Sequence, residues 1–309
     1  MIPEFPEFKN LELSDREEIE NMTHQFQPYS DFHFITIFCW DIDNTTQISK
    51  LNENLIIKQI DCLTCEQFFS FIGINEVSQT INQISNFLKE NDLPLIFRWM
   101  PEVTVNCLNG THAVITEDRD YFDYIYSVDD FYNATGSKKK KYRKCVNVFK
   151  KRYSNIVTTQ IDITNNEVKK QIDLLFISWS KKKDIRDDNC EFSYEHKALD
   201  KLLSSANNFN MLVALGLYDN NELIAFAIED LSDKIYGSSL FWKANTNYKG
   251  IYPYLQKEIT NLYRNREIKF MNWESDLGLM SLRASKLSYN PSFFLKKYMI
   301  EICNNNQNL

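Results

Sequence analysis

Apolar positions along the chain fall into two regimes, one of helical period and one of short, Ile- and Phe-rich runs. "EVSQTINQISNFLKEN" places Val77, Ile81, Ile84 and Leu88 at helical spacing, which predicts an amphipathic helix. "TNNEVKKQIDLLFISWSKKK" does the same with Val168, Ile172, Leu175 and Trp179, behind a Thr164/Glu167 capping box. A further helix is expected from Ser14, where Ser14 and Glu17 form the same box. The runs "FHFITIFCW", "NLIIKQID", "CEQFFSFIG", "PLIFRWMPEVTVNCL" and "AVITEDRDYFDYIYS" read as strands.

The second half is more regular. A strand ("NIVTTQIDI"), the helix just described and another ("EFSYEHKALDKLLSSANN") lead into two strands, "MLVALGLYD" and "ELIAFAIEDL". Asn220-Asn221 between them is a hairpin turn, because Asn tolerates positive φ. The strand "KIYGSSLFWK", helix "IYPYLQKEITNLYRNR", strand "IKFMNWE", helix "LGLMSLRASKLS" and closing strand "FFLKKYMIEI" complete it. The order β-α-α-β-β-β-α-β-α-β is an α/β (α+β) domain with an antiparallel meander and late crossovers. It is the element order of a GNAT-type N-acyltransferase, although a fold by itself does not fix a function.

Composition narrows the class. The 309 residues are 43% apolar and 14% aromatic, enough for a sizeable core, and seven Gly and seven Pro exclude collagen-like or broadly disordered chains. No apolar run reaches the roughly 18 residues a membrane span needs, and the acidic, proline-broken N-terminus is unlike a secretory signal. A cytoplasmic protein without a transmembrane segment is the expectation. Seven scattered cysteines, with one CxxC at Cys62 and Cys65, and four histidines without ligand spacing suggest no metal site.

The net charge of −7 argues against general coating of nucleic acid, but nine of the fifteen residues from Lys138 to Arg152 are basic. On a helix over 137–153, Tyr142, Cys145, Val146, Phe149 and Tyr153 make one apolar stripe and the cations fill the rest. A solvated face is the plain explanation. The scarcity of acidic partners within it favours an anionic ligand instead: a tRNA acceptor stem, a lipid headgroup or a CoA pyrophosphate.

A second constellation is "NWESDLGLMSLRASKLSYNP", residues 272–291. Strand alternation puts Asn272 and Glu274 on one face, and Asp276 then sits where a carboxylate caps a helix. Leu277, Met280, Ala284 and Leu287 are the expected buried stripe of that helix, with Arg283 and Lys286 projecting together. The cations either tie the junction to Asp276 and Glu274 or hold a phosphate or carboxylate while Glu274 accepts a proton. No Ser-His-Asp or Cys-His nucleophile, P-loop or GxGxxG is present. The Q/R-x-x-G-x-G/A loop with which GNAT enzymes cradle CoA is also missing, and "NTNYKGIYPYL" offers only Gly250.

These residues resemble a bacterial family related to the C-terminal catalytic domain of phosphatidylglycerol lysyltransferases. Its late signature, N-x-E-x-D-x-G-x-x-x-L-R-x-x-K-x-S-Y-x-P, is matched by Asn272, Glu274, Asp276, Gly278, Leu282, Arg283, Lys286, Ser288, Tyr289 and Pro291. A looser mid-chain signature is matched by Asp123, Tyr124, Ile125, Tyr126, Gly136, Lys138, Arg143, Asn147 and Phe149. It departs where Lys144 and Cys145 replace an Asn-His pair, and a tyrosine expected near 139 is displaced to Tyr142.

The resemblance implies two tandem GNAT-like domains with mixed, mainly antiparallel sheets, over 1–135 and 155–309, joined by the basic helix over 136–154. It implies direct transfer of an activated acyl or aminoacyl group, from aminoacyl-tRNA or acyl-CoA, to an amine or hydroxyl on a small molecule or anionic lipid headgroup. Glu274, with Asp276 second, is the expected base. Lys138, Arg143, Lys144, Asn147, Arg283, Lys286 and Tyr289 are the expected substrate and phosphate contacts. A non-catalytic GNAT pair that binds an anionic ligand, and an aminoacyltransferase acting on cell-wall precursors, are the alternatives.

Overall fold

The structure is a computed structural model describing residues 1–60, 66–110, 112–184 and 191–303, so the Cys62/Cys65 pair lies outside the described residues. In chain order the first elements are β1 (Lys9–Asn10), α1 (Arg16–Thr23), α2 (Phe34–Trp40), β2 (Gln47–Leu51), β3 (Asn54–Ile60), β4 (Gln67–Ile72), α3 (Val77–Glu90), β5 (Ile96–Pro101), α4 (Glu102–Val105) and β6 (Ala113–Glu117). Next come β7 (Asp123–Ser127), α5 (Val128–Asn133), α6 (Lys140–Arg152), β8 (Val157–Ile161), α7 (Asn166–Asp184), α8 (Glu191–Ser205) and β9 (Leu212–Asp219). The chain closes with β10 (Glu222–Asp230), β11 (Tyr236–Ala244), α9 (Ile251–Asn265), β12 (Phe270–Asn272), α10 (Met280–Ser288), β13 (Phe293–Leu295) and β14 (Lys297–Ile302).

These elements form two GNAT-like α/β units that are not consecutive in sequence. One comprises residues 1–123, 275–280 and 294–309, the other residues 124–274 and 281–293. The basic helix α6 therefore counts with the second unit, and the late signature is shared between both.

In the first unit the sheet order is β1-β2-β3-β4-β5-β14-β6. All neighbours are antiparallel except β4 and β5. The inner stripe of α3, Val77, Ile81, Ile84 and Leu88, packs into one cluster with Ile56, Phe69, Phe71, Phe97 and Met100. Truncating one such Phe to Ala costs about 3–5 kcal/mol.

The second sheet has the order β13-β7-β12-β11-β10-β9-β8, with β11 and β12 parallel. Its β8-α7-α8-β9-β10-β11-α9-β12-α10-β13 succession is the N-acyltransferase order expected from the sequence. Asn220 and Asn221 make the β9–β10 turn at φ 47° and 69°. β12 pairs with β11 only as far as Ser238↔Asn272, while β11 runs on to Ala244.

Several expectations are corrected. "FHFITIFCW" is the helix α2 and not a strand; Phe34, Ile35, Ile37 and Cys39 are all buried, and a short, fully buried apolar run has no period by which to choose. The Ser14/Glu17 box does not form: Glu12 N–H donates to Asp15 Oδ2 at 2.9 Å, two residues earlier. Asn165 and not Thr164 caps α7, accepting the Glu167 N–H at 2.8 Å. The closing strand is two strands, β13 and β14, one in each sheet.

Candidate functional site

The late signature runs off the short strand β12. Glu274 follows it with φ 55°, a left-handed conformation uncommon for a residue other than glycine and shared in this chain by Glu53, Glu76 and Glu267. Three contacts hold it: its N–H donates to Asn272 Oδ1 at 2.7 Å, its carbonyl accepts Tyr124 N–H at 3.1 Å, and Lys286 Nζ reaches the same carbonyl at 3.3 Å. Strand alternation therefore ends at Asn272, which is buried, and Glu274 is half-buried.

Asp276 lies in the first unit and is fully buried. Its Oδ1 accepts Gly278 N–H at 3.0 Å and its Oδ2 faces Arg119 Nη1 at 3.5 Å. It caps a turn ahead of α10 and does not cap the helix itself, which starts at Met280. Gly278 is required there: its φ is 74°, and a Cβ would stand 2.8 Å from Asp120 Oδ2.

The face of α10 is the reverse of the expected one. Leu277, Met280 and Leu287 are 39%, 76% and 43% exposed, and Ala284 is exposed. The half-buried positions are Leu282, Arg283, Lys286 and Tyr289. Lys286 explains the rotation: its ammonium donates to the Trp273 carbonyl at 2.5 Å, and its own carbonyl accepts the Tyr126 hydroxyl at 2.8 Å. Polar anchoring to β7 and the end of β12 thus decides which side of the helix turns inward.

On α6 the apolar stripe is as expected, with Tyr142, Val146 and Phe149 buried. The cations divide. Lys138, Lys144 and Asn147 are exposed, whereas Arg143 is committed to the carbonyls of Ala134 and, at 2.9 Å, Gly136. Lys139 is buried: its ammonium lies 3.5 Å from the Phe131 ring centroid and donates to the Tyr289 carbonyl at 2.8 Å. Burial lowers its pKa to about 8.

Phe131, Tyr142, Trp273 and Tyr289 form an aromatic cluster with centroids 5.2–6.5 Å apart. Two donors within it, Tyr142 Oη and Trp273 Nε1, are buried without a hydrogen-bond partner. A ligand oxygen would satisfy them, since a buried donor left unpaired costs about 1–3 kcal/mol.

Sequence reasoning missed Glu229 on β10. It is fully buried, and its carboxyl accepts from Ser239 Oγ at 2.8 Å, Tyr263 Oη and Trp242 Nε1. Burial, with Glu274's charge adding to it, pushes Glu229 up to about 8 against the pull of those three donors. The signal was a carboxylate inside the otherwise apolar run "LIAFAIED". His196 and Asp200 on α8 and Asp173 on α7 bring ligand atoms within 4.8 Å of one another; His196 Nε2 lies 2.6 Å from Asp173 Oδ1.

At the start of α9, where the CoA-cradling loop was sought, α6 covers the helix end. A Cβ on Gly250 would stand 3.0 Å from the Cys145 carbonyl, Lys249 N–H reaches Tyr153 Oη at 3.3 Å, and Phe149 stacks on Tyr254 at 4.5 Å.

Among solved structures, a conserved protein of unknown function from Bacteroides thetaiotaomicron superposes with a TM-score of 0.83 at 24% identity, over 98% of this chain and 100% of that one. The C-terminal domain of a putative lysylphosphatidylglycerol synthetase from Agrobacterium fabrum gives 0.65 at 10% identity, over 95% and 93%. L-PGS from Bacillus licheniformis gives 0.62 at 13%, over 99% and 95%. At these identities the likeness is one of fold. An uncharacterized protein of Mycoplasmoides gallisepticum is 23% identical over 183 residues, 58% of this chain but only 56% of that protein. No described helix is long and apolar enough to cross a membrane. Residues 23–301 match the family described as phosphatidylglycerol lysyltransferase, C-terminal, and the chain belongs to that family.

Proposed function

We propose that the protein is a transferase that moves an activated aminoacyl group from aminoacyl-tRNA to an amine or hydroxyl acceptor, with Glu274 as general base. The observation that carries this reading is the Glu274 backbone. A non-glycine residue whose backbone is held at φ 55° by three contacts has its Cα–Cβ direction set by the fold, and such stored strain concentrates at working sites. The acceptor attacks the ester carbonyl directly and its proton passes to Glu274; the ester C–O bond then breaks and the tRNA 3′-terminal oxygen leaves as a hydroxyl, taking that proton from Glu274.

Other features fit this assignment. Beyond Ser238 β11 runs on to Ala244 without pairing to β12. The aromatic cluster supplies an apolar wall and two unsatisfied donors. Exposed Lys138, Lys144 and Asn147 on and beside α6 suit the phosphates of an acceptor stem, while Arg283 on α10 and Tyr289 just past its end are half-buried. Asp276 and Lys286 serve as anchors, the first to Arg119 and the Gly278 turn, the second to the carbonyls beside Glu274. CoA is disfavoured as donor because the Cys145 carbonyl, an acceptor, stands against Gly250 where a pyrophosphate would approach.

The test offers radiolabelled aminoacyl-tRNA or acyl-CoA together with phosphatidylglycerol vesicles, a cell-wall precursor or a small amine. Label transfer from aminoacyl-tRNA, with donor binding that weakens steeply as salt rises, is the expected result. Transfer from acyl-CoA alone would overturn the choice of donor. Donor binding without turnover would favour the non-catalytic GNAT pair.

A further inference from the structure

We propose that Glu229 is a positioning residue for Glu274: its buried carboxyl fixes the Trp242–Trp273 pair, from whose end the base projects. The inference rests on the reading of Glu274 as the base.

The connection is traced through contacts within the second unit. Glu229 sits where the β10–β11 register shifts, between Ile228 and Glu229, so its side chain meets β11 off the regular ladder. One carboxyl oxygen accepts the Trp242 indole N–H and the other accepts from Ser239 and Tyr263. Tyr263 comes close because residue 237 is glycine; a Cβ there would lie 2.4 Å from the ring. With its N–H engaged, the Trp242 ring is fixed and meets Trp273 edge-on at 5.2 Å and 64°. The Trp273 ring is flanked on its other sides by Tyr126 at 4.1 Å and Tyr289 at 5.2 Å, and the backbone N–H of Trp273 donates to the Tyr124 carbonyl at 3.0 Å. Glu274 is the next residue.

A buried carboxyl with three donors and, among the described residues, no cation beside it is a costly way to hold a tryptophan. A glutamine would serve if holding were all that mattered. The titratable groups acting on Glu229 are Tyr263 from α9 and Glu274 itself, with Asp230 its neighbour on β10. Neutral Glu229 lets Glu274 carry the local negative charge. Once Glu229 ionises, at about 8, two carboxylates repel across the site and the Trp273–Glu274 segment is displaced.

The experiment compares wild type, Glu229→Gln, Glu229→Leu and Glu274→Gln. Gln preserves the contacts while staying neutral: its oxygen accepts from Trp242, and the hydroxyls of Tyr263 and Ser239 turn to accept from its amide. The first readout is the near-UV circular dichroism of the tryptophans against pH, which needs no substrate, with Trp273→Phe assigning the band. For this readout both proteins carry Lys139→Met, because Lys139, beside Phe131 and bonded to the Tyr289 carbonyl, also titrates at about 8. In that background the band should change between pH 7 and 9 with Glu229 in place and stay flat in Glu229→Gln. A flat band with Glu229 in place, or an unchanged transition in Glu229→Gln, overturns the proposal.

The second readout is transfer. Glu229→Gln should keep kcat within about threefold at pH 7 and lose the alkaline fall, and Glu229→Leu should lose about 10- to 100-fold in kcat at constant donor KM. Wild-type kcat in Glu229→Leu also overturns it. If Glu274→Gln keeps full turnover, the assignment of the base fails instead, and the dichroism still reports whether Glu229 governs Trp273.

Discussion

Two buried acidic clusters, one in each unit, solve the same problem in opposite ways. In the first unit Asp123 and Asp31 surround Lys297, whose ammonium lies 2.8 Å from Asp123 Oδ1 and also pairs with Asp31, while Ser30 donates its N–H and hydroxyl to Asp123. Burial raises Asp31 to about 6, with Lys297 opposing the rise, so it remains a carboxylate at neutral pH. Burial alone would lower Lys297, but the two carboxylates reverse that and hold its pKa above the ordinary lysine value. In the second unit Glu229 has only neutral donors and is pushed up to about 8. A buried carboxylate beside a cation is a structural joint; one beside neutral donors keeps its proton into the physiological range, where it can answer to chemistry next to it.

The comparison breaks first at Lys297. Lys297→Met strands two carboxylates in the core and should cost about 3–5 kcal/mol in denaturant unfolding, with Asp123→Asn in the same chain recovering part of it. A neutral Lys297→Met would show that the triad is not a joint. Asp276, paired with Arg119, belongs to the same class, so Asp276→Asn should cost about 1–3 kcal/mol.

Glu229→Gln should be close to neutral near pH 5 and more stable than wild type at pH 7, the difference growing with pH. Because the folded pKa is raised, wild type loses stability as pH climbs from the ordinary value of 4.5 to about 8, and the loss stays complete above that. The slope is at most about 1.4 kcal/mol per pH unit. Glu229→Gln should flatten it, and melting temperatures across pH 5–9 read this directly. The smallest effect belongs to the outward face of α10: Met280→Ser and Leu287→Ser should stay within about 0.5 kcal/mol of wild type, whereas residues of an apolar core stripe would cost several times more.

That last pair shows what the sequence could and could not disclose. α3, α6 and α7 were readable because their inward residues are apolar at helical period, and hydrophobicity alone orients them. α10 defeats that rule: its inward residues include Arg283, Lys286 and Tyr289, and the partners that draw Lys286 inward are backbone carbonyls 12 and 13 positions away. The signature identified these residues as a set, yet which of them anchor the turn and the helix depended on Arg119, Tyr124 and Tyr126. Glu229 was visible as a lone charge in an apolar strand, but its three donors come from β11 and α9, and no local pattern names them.

The most direct test is single-turnover transfer from radiolabelled aminoacyl-tRNA by wild type and Glu274→Gln, with donor affinity measured alongside. The expected result is a loss of about 10²- to 10⁴-fold in rate with donor binding within about threefold of wild type. A Glu274→Gln protein that transfers at the wild-type rate would contradict the assignment of Glu274 as the base.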